Sequence, residues 1–295
     1  MEVLRSIWSI RVGRISLIVL ALVVLLAIFG SLLTPHDPFA QNAANRLKGV
    51  SWLHPFGTDY LGRDLLSRLL AGSGLSVVAA FEALGFALVI GVVPGLLSLY
   101  LGRPFEWISM RIMEALVALP FIVFAVSMAA LLGNGLHQAM LAVGILMSPA
   151  FFRVTRAAGQ VSVNSQYVAA SRLMGSSTSW ILRHHVWPKV LPPVAITAAA
   201  AIGNGLVVIS SLTFLGIGVA PPTPSWGGIL SDQVGYLYQQ PFAIFPPAFL
   251  IIATVGAAHG LADALRDATN PSPRRAAFRG GGAKQVAAAN LERVQ

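Results

Sequence analysis

Three ionisable side chains between residues 54 and 64 are the first group in the chain whose types and spacing suggest chemistry. His54, Asp59 and Asp64 offer the imidazole and carboxylate ligands that a divalent metal such as zinc accepts. Asp64, however, directly precedes a helical pattern and stands four residues before Arg68, so helix capping and surface ion pairing account for it. We therefore expect these residues to be structural and predict no metal site.

Three further ionisable residues lie inside apolar runs, where a charge is costly and has to face protein or a water-filled path. They are Glu82, Arg111 and Glu114. Arg111 and Glu114 are three residues apart, so mutual pairing is the simpler interpretation for them. Glu82 and Glu114 are our candidates for a translocation path, although Glu82 is equally compatible with a place near the outer interface.

The common catalytic sequence patterns are absent from the chain. It has no GxxxxGK[ST] phosphate-binding loop, no HExxH pair and no GxSxG elbow. It has no cysteine, which excludes disulfides, thiolate metal sites and cysteine nucleophiles. His184 and His185 are adjacent, so on a helix they point in different directions and make a poor metal pair. We predict a protein that is not an enzyme and that binds no cofactor itself.

The composition identifies lipid as the solvent for most of the chain. Of its 295 residues, 56% are hydrophobic and 11% are charged, whereas a soluble domain is about 25% charged. Six apolar blocks approach or exceed the roughly 20 residues that span a bilayer as a helix. They cover residues 15–33, 75–101, 107–132, 136–152, 190–215 and 242–262. The first block is longer than the core of a signal peptide, so we expect it to remain as an anchor.

The segment between the first two blocks carries a second helical pattern. Leucines at positions 61, 65, 66, 69 and 70 fall on one helical face. This spacing predicts a short amphipathic helix over residues 60–70 that lies at the membrane surface.

The basic residues predict the orientation in the membrane. With six spans, 16 of the 20 Lys and Arg residues fall on one side of the membrane, together with both termini. The four on the other side are Arg46, Lys48, Arg63 and Arg68, all in the first external segment. By the positive-inside rule, both termini face the cytoplasm.

The longest polar passage of the second half, residues 166–193, has a definite internal form. A helical run over residues 167–174 stops at Gly175, and three small hydroxyl residues follow. A second helical run over residues 180–187 is closed by prolines at positions 188, 192 and 193. Because Gly and Ser are natural helix terminators and N-caps, this passage predicts a cytoplasmic helix–turn–helix.

Three stretches resemble one known family, the C-type permease subunits of dipeptide and oligopeptide ABC importers, a group that also includes nickel importers. The family's sequence pattern after its first span is closely matched from His54 by HPFGTDYLGRDLLSRLL. Its pattern before the last span is matched almost completely from Ser210 by SSLTFLGIGVAPPTPSWGGILSD. LADALRDATNPSPRR from Leu261 is similar to its C-terminal ending.

The polar passage itself also carries the resemblance, since it is similar to the cytoplasmic signature of ABC importer permeases. Gly175 fills the glycine place, Ala170 and Ser171 fill the alanine places, and Pro188 falls where the family has a proline. Ala169 stands where the signature usually has a glutamate that helps to engage the ATPase. Arg172 is close enough to take over part of that polar contact.

The resemblance implies an all-α fold with six transmembrane helices, the type I ABC importer permease fold. It implies these parts: a cytoplasmic N-terminus (1–14), a first transmembrane helix (15–33), an external segment with the surface helix (34–74), a permease core (75–270) with a coupling loop (157–189), and a disordered cytoplasmic tail (271–295).

The resemblance also implies a function: one half of a peptide translocation pathway across the cytoplasmic (inner) membrane of a prokaryote. ATP and magnesium would bind to two partner ATPase subunits or domains, a different but homologous permease would complete the pathway, and an external binding protein would deliver the peptide. No nucleic acid is involved. The expected ATPase-coupling residues are Ala169, Ala170, Ser171, Arg172, Met174, Gly175, Ser176 and Ser177. The candidates for binding-protein docking or an outer gate are Asp59, Arg63, Pro222, Ser225 and Trp226.

Three other interpretations remain at this point. A permease of the same family could import nickel chelates or other small solutes. An ion-driven secondary transporter would need ionisable residues at mid-membrane and an inverted repeat, and only Glu82 fits the first requirement. A membrane enzyme would need a cluster of His, Asp or Glu at one face, and the six histidines are scattered.

Overall fold

Apolar segments in lipid have to satisfy their own backbone hydrogen bonds, and helices do so within a single segment. The computed structural model describes residues 2–269, with side chains from Arg5 onward. Over this range the chain is helical, with no strand beyond one isolated bridge between Thr58 and Asp64. This confirms the all-α fold class. The expected tail at residues 271–295 lies outside the described residues.

Eleven α-helices occur in the described part of the chain. They are α1 (Glu2–Ser9), α2 (Arg11–Phe29), α3 (Leu65–Leu97), α4 (Arg103–Ala118), α5 (Phe121–Leu132), α6 (Leu136–Val163), α7 (Gln166–Leu173), α8 (Thr178–Ile181), α9 (Trp187–Phe214), α10 (Trp226–Val234) and α11 (Phe245–Thr269). Short 3₁₀ turns extend α2 and precede α11, and one π-helical turn, Leu182–Val186, joins α8 to α9.

Five continuous helical segments in the described range are long and apolar enough to cross a membrane, and they contain α2, α3, α6, α9 and α11. The pair α4 and α5 adds a sixth span if it is counted as one crossing, but it is bent by 100°. The sequence suggested one straight block over residues 107–132. The break has a local cause: Leu119 precedes Pro120 and is extended (ψ 130°), as the proline ring requires of its predecessor.

The predicted surface helix over residues 60–70 does not exist as a separate element. Residues from Leu65 onward belong to α3, which continues without interruption to Leu97. Glycines such as Gly72 and Gly74 often interrupt a helix, but here each remains helical and allows another part of the backbone to lie close to α3. A Cβ on Gly72 would lie 3.1 Å from the backbone of Pro224, and one on Gly74 would lie 2.9 Å from the carbonyl oxygen of Ala27.

The prolines expected to end the second helical run of the polar passage do not end it. Helical structure runs from Thr178 to Phe214 as one segment of 37 residues. Pro188 follows the π-helical turn directly and lies within this continuous segment. Pro192 and Pro193 lie inside the helix, as membrane-spanning helices tolerate. α6 likewise continues to Val163, beyond the expected end at residue 152.

Two groups of buried apolar side chains follow one another along α3, α6 and α9. The first includes Leu65, Leu69, Met140 and Trp226, and the second includes Phe151, Val168, Ile181, Val186 and Val190. Met147 packs against both groups. The bundle is therefore filled from the segment before α3 to the α7–α8 region at its opposite end.

Glycines allow these three helices to approach closely. A Cβ on Gly144 of α6 would lie 2.4 Å from the Cβ of Phe86 on α3, so no larger residue fits there without movement. Such small residues at helix contacts are typical of membrane proteins.

Candidate functional site

The turn at Gly175 is formed by α7, residues 174–177 and α8, and we call this unit the Gly175 turn. Gly175 has φ +80°, a conformation that only glycine adopts at low cost. The Ser176 N–H donates to the Ser171 carbonyl and the Gly175 N–H donates to the Arg172 carbonyl, both at 3.0 Å. This pair of bonds is the Schellman motif, which ends α7.

The next helix starts at once, because the Ser177 hydroxyl accepts a hydrogen bond from the Trp180 N–H at 3.3 Å. The predicted helix–turn–helix is therefore confirmed, with its glycine terminator and serine N-cap as expected.

One side of the Gly175 turn packs into the bundle. Val168, Ile181 and Val186 are at most 1% exposed and belong to the core group that includes Phe151 of α6. The Ser171 hydroxyl lies 2.9 Å from His185 Nε2, which ties α7 to the π-helical turn. A movement of the turn therefore acts directly on α6 and α9.

The other side of the Gly175 turn is exposed, and its tip is apolar. Leu173 is 90% exposed and Met174 is 78% exposed. Of the eight residues expected to contact an ATPase, Ser171 is buried and Ser176 is half-buried. The remaining six, Ala169, Ala170, Arg172, Met174, Gly175 and Ser177, are exposed. Sequence reasoning missed Leu173, although its position next to Met174 in the same turn was a usable signal.

The five candidates for binding-protein docking or an outer gate differ in how far their side chains are buried. Asp59 and Arg63 are buried and form an ion pair at 2.6 Å, which Arg68 joins at 3.6 Å from Asp59. Arg63 also lies 3.8 Å from Asp232 of α10. We call these four residues the outer network. The expected i,i+4 pair of Arg68 with Asp64 is wrong, since Arg68 turns to Asp59 instead.

Burial raises the pKa of Asp232, and the positive charges of Arg68 and Arg63 oppose that effect. The outer network thus joins the segment before α3 to α10, which are more than 160 residues apart in the sequence.

Trp226 and Ser225 are buried as well. The Trp226 side chain is completely buried and donates its Nε1–H to the Leu69 carbonyl at 3.3 Å. Ser225 caps α10 by accepting a hydrogen bond from the Gly228 N–H at 3.2 Å. Among the five candidates only Pro222 is exposed, and its carbonyl oxygen lies 3.4 Å from Arg68 Nη1. Four of the five side chains therefore brace the outer segments and present no surface of their own.

The two path candidates have different partners. Glu82 of α3 lies 2.7 Å from His137 Nδ1, at the first turn of α6, a contact that the sequence did not indicate. Glu114 pairs with Arg111 at 2.6 Å, as predicted, and both side chains are exposed. Glu114 also lines a cavity together with Met113, Phe152 and Arg153.

Comparison with known proteins gives this arrangement its context. Residues 83–275 match the family described as binding-protein-dependent transport system inner membrane component, and residues 2–55 match the N-terminal TM domain of oligopeptide transport permease C.

Among similar proteins, the dipeptide transport system permease protein DppC of Alkalihalophilus pseudofirmus is 33% identical over 92% of this chain and 89% of its own. The di/tripeptide transport system permease protein DppC of Pseudomonas aeruginosa is 35% identical over 88% of each chain. The glutathione transport system permease protein GsiD of Escherichia coli O1:K1 is 35% identical over 85% of this chain and 83% of its own.

A chain of the MetNI methionine ABC transporter, solved in inward-facing conformations, has the same fold with a TM-score of 0.56. It is 22% identical and covers 70% of this chain and 97% of its own. The family match covers well over half of the chain. The protein therefore belongs to the binding-protein-dependent transport system inner membrane components, the membrane-spanning permease subunits of ABC transporters, whose ATP hydrolysis takes place on separate subunits.

Proposed function

We propose that this chain forms half of a translocation pathway for di- or oligopeptides across the cytoplasmic membrane. Support for the cargo comes from relatives named for dipeptides, di/tripeptides and glutathione, which cover most of this chain. The different but homologous permease and the external peptide-binding protein are part of the same proposal. Glu82 and Glu114 remain our candidates for the path.

The observation that carries the mechanism is the two-sided character of the Gly175 turn. Its exposed apolar tip, Leu173 and Met174, is a surface that water disfavours and a partner groove can bury. Its inner side packs against α6 and α9. We propose that the tip sits in a groove of the ATPase subunit, so that closure of the ATPase pair moves these spans and switches the pathway between two states.

Ala169 and Arg172 suit this role in spite of the missing signature glutamate. Both are exposed on α7, and Arg172 offers a charged contact to the ATPase within one turn of Ala169. We propose that this arginine replaces part of the polar contact that the glutamate makes in other family members.

Gly175→Pro tests the coupling role, because proline cannot adopt φ +80° and has no N–H to donate to Arg172. In the complex purified with its ATPase subunits, we expect the variant to insert normally and to lose uptake while ATP hydrolysis becomes independent of peptide-loaded binding protein. Unchanged uptake would rule out the coupling assignment.

Gly216 is a matched control for that experiment. It has φ +77°, donates its N–H to Thr213 at 3.1 Å and ends α9 with the same pair of bonds. Gly216→Pro should cost similar stability while the ATPase subunits stay bound and responsive. Equal loss of the ATPase response to peptide-loaded binding protein in both variants would mean that backbone damage, and not the turn's contact, is responsible.

The orientation is tested separately. We propose that both termini and the Gly175 turn face the cytoplasm, as the distribution of basic residues predicts. A reporter fused after Gln295 should be active only in the cytoplasm, and an externally active fusion would contradict the proposed topology of six spans with both termini inside.

A further inference from the structure

Two histidines and one carboxylate that are distant in sequence meet at the start of α3. His36, His54 and Asp64 each offer a ligand atom, and all three atoms lie within 4.8 Å of one another. Sequence reasoning considered Asp59 as the third member of such a group, but Asp59 pairs with Arg63 and Arg68. His36, 18 residues before His54, takes its place.

Hydrogen bonding explains only part of this group. His54 Nδ1 lies 2.9 Å from Asp64 Oδ1, which is a normal hydrogen bond. His36 Nδ1 lies 3.8 Å from Asp64 Oδ2, beyond hydrogen-bond range. Of the two histidine nitrogens that face Asp64, His36 Nδ1 is buried and has no hydrogen-bond partner in the described structure, a state that costs free energy for any buried polar atom.

The spacing of the ligand atoms fits a small tetrahedral ion. Zinc bonds to nitrogen and oxygen at about 2.0–2.2 Å, so two ligands of one tetrahedral ion lie about 3.3 Å apart. The distances of 2.9 Å from His54 Nδ1 to Asp64 Oδ1 and of 3.8 Å from His36 Nδ1 to Asp64 Oδ2 lie on either side of that value. Because all three ligand atoms lie within 4.8 Å of one another, small side-chain rotations would bring both nitrogens and the carboxylate around one ion.

A second layer of contacts holds the group in place. Asp64 Oδ2 accepts hydrogen bonds from the Ser67 N–H at 2.8 Å and from the Ser67 hydroxyl at 2.7 Å. The same Ser67 hydroxyl accepts a hydrogen bond from the backbone N–H of His36 at 3.0 Å. Such partners behind the ligands are usual at metal sites, where they fix ligand orientation.

Access is also suitable for a bound ion. Asp64 and His54 are buried, whereas about one third of the His36 side chain is exposed. An ion can therefore enter past His36, and a water molecule can complete the fourth position.

We infer that His36, His54 and Asp64 bind one divalent transition metal ion, most suitably zinc, which fastens the segment before α3 to the start of that helix. His36 and His54 lie in a stretch of more than 30 residues between two membrane-spanning helices, whose only helical element is a 3₁₀ turn at Ala43–Asn45. One ion would join three points of that stretch, and the role is structural.

Zinc titration of the purified permease–ATPase complex tests the inference, after chelator treatment and with zinc alone as the probe. We expect the wild-type complex to bind one zinc ion more per copy of this chain than the His36→Ala complex. His36 is partly exposed, so its removal should leave the fold intact. Asp64→Asn, which keeps a helix-capping oxygen, should lose the same ion. Ser67→Ala should weaken binding about 10- to 100-fold.

His137→Ala is the matched control, because His137 is a histidine with a carboxylate partner outside the group. It should bind as much zinc as the wild type, and zinc should raise the melting temperature of wild type and His137→Ala but not of His36→Ala. Equal zinc content in wild type and His36→Ala would overturn the inference. Unequal content with unchanged melting temperatures would overturn its structural role.

Discussion

The two ends of the bundle are built in opposite ways. At the Gly175 turn, apolar side chains point outward, and the turn is fixed by local backbone bonds between residues at most five apart. Around Asp59 and Trp226, charged and aromatic side chains are buried, and several of the bonds join residues more than 150 apart. One end leaves an apolar surface exposed, and the other holds the segment before α3 and α10 together within the chain.

Among the variants that test this difference between the two ends, Trp226→Ala should lower the stability of the protein most. The substitution empties the site of a fully buried side chain that contacts α3, and such changes cost about 3–5 kcal/mol. We expect a strong fall in thermal stability of the detergent-solubilised protein. Trp52→Ala is the control, since Trp52 is fully exposed. Equal losses in the two variants would contradict the described packing of α10.

Asp59→Asn should have the next largest effect and lower the free energy of unfolding by about 3 kcal/mol. The substitution leaves the buried guanidinium groups of Arg63 and Arg68 without their shared carboxylate. Glu114→Gln removes an exposed pair and should cost at most about 1 kcal/mol. Chemical unfolding monitored by tryptophan fluorescence would separate the two variants. A similar cost for both would show that burial does not distinguish the outer network.

Val168→Ala should lower stability by about 2 kcal/mol, since it removes two buried methyl groups on the inner side of α7. Leu173→Ala, on the outer side of the same helix, should stay within about 0.5 kcal/mol. Melting temperatures of the isolated permease would compare them directly. Reversed effects would mean that the two sides of α7 are wrongly assigned.

Leu173→Asp should change stability least and partner binding most. A carboxylate at the exposed tip is well solvated in the free chain, but it has to lose water in an apolar ATPase groove. We expect ATPase subunits to be lost on co-purification while the melting temperature of the permease is unchanged. Retention of the ATPase subunits would place their contact elsewhere on the cytoplasmic side.

The two ends also differ in how far the sequence predicts them. Gly175 and Ser177 carry local signals, a left-handed glycine and an N-cap, so the helix–turn–helix was predictable. The outer end was not, because Gly72 and Gly74 suggest a break and the identity of their neighbours depends on the tertiary fold. Asp64 as a cap was predictable from its own neighbours, whereas the partners of Arg68 were not.

The same reasoning explains the errors within the spans. Leu119 and Pro120 lie in an apolar run whose composition is that of one span, and only the backbone requirement of proline breaks it. Pro192 and Pro193 suggest an end to a helix, but the surrounding bundle keeps them helical. The contact of Ser171 with His185 depends on the π-helical turn, which was not predictable from the residue pattern.

The unbroken helix from Thr178 to Phe214 has a thermodynamic consequence. At 37 residues it is about 55 Å long. It begins in the Gly175 turn and ends where Ser210 leaves no room for a side chain on Gly227 of α10. Its two ends belong to one continuous helix, so we expect a ligand that favours one position of the outer end to favour one position of the inner end as well. Linkage is reciprocal: by whatever factor the ATPase changes the affinity of the outer face for its ligand, that ligand changes the affinity of the inner face for the ATPase.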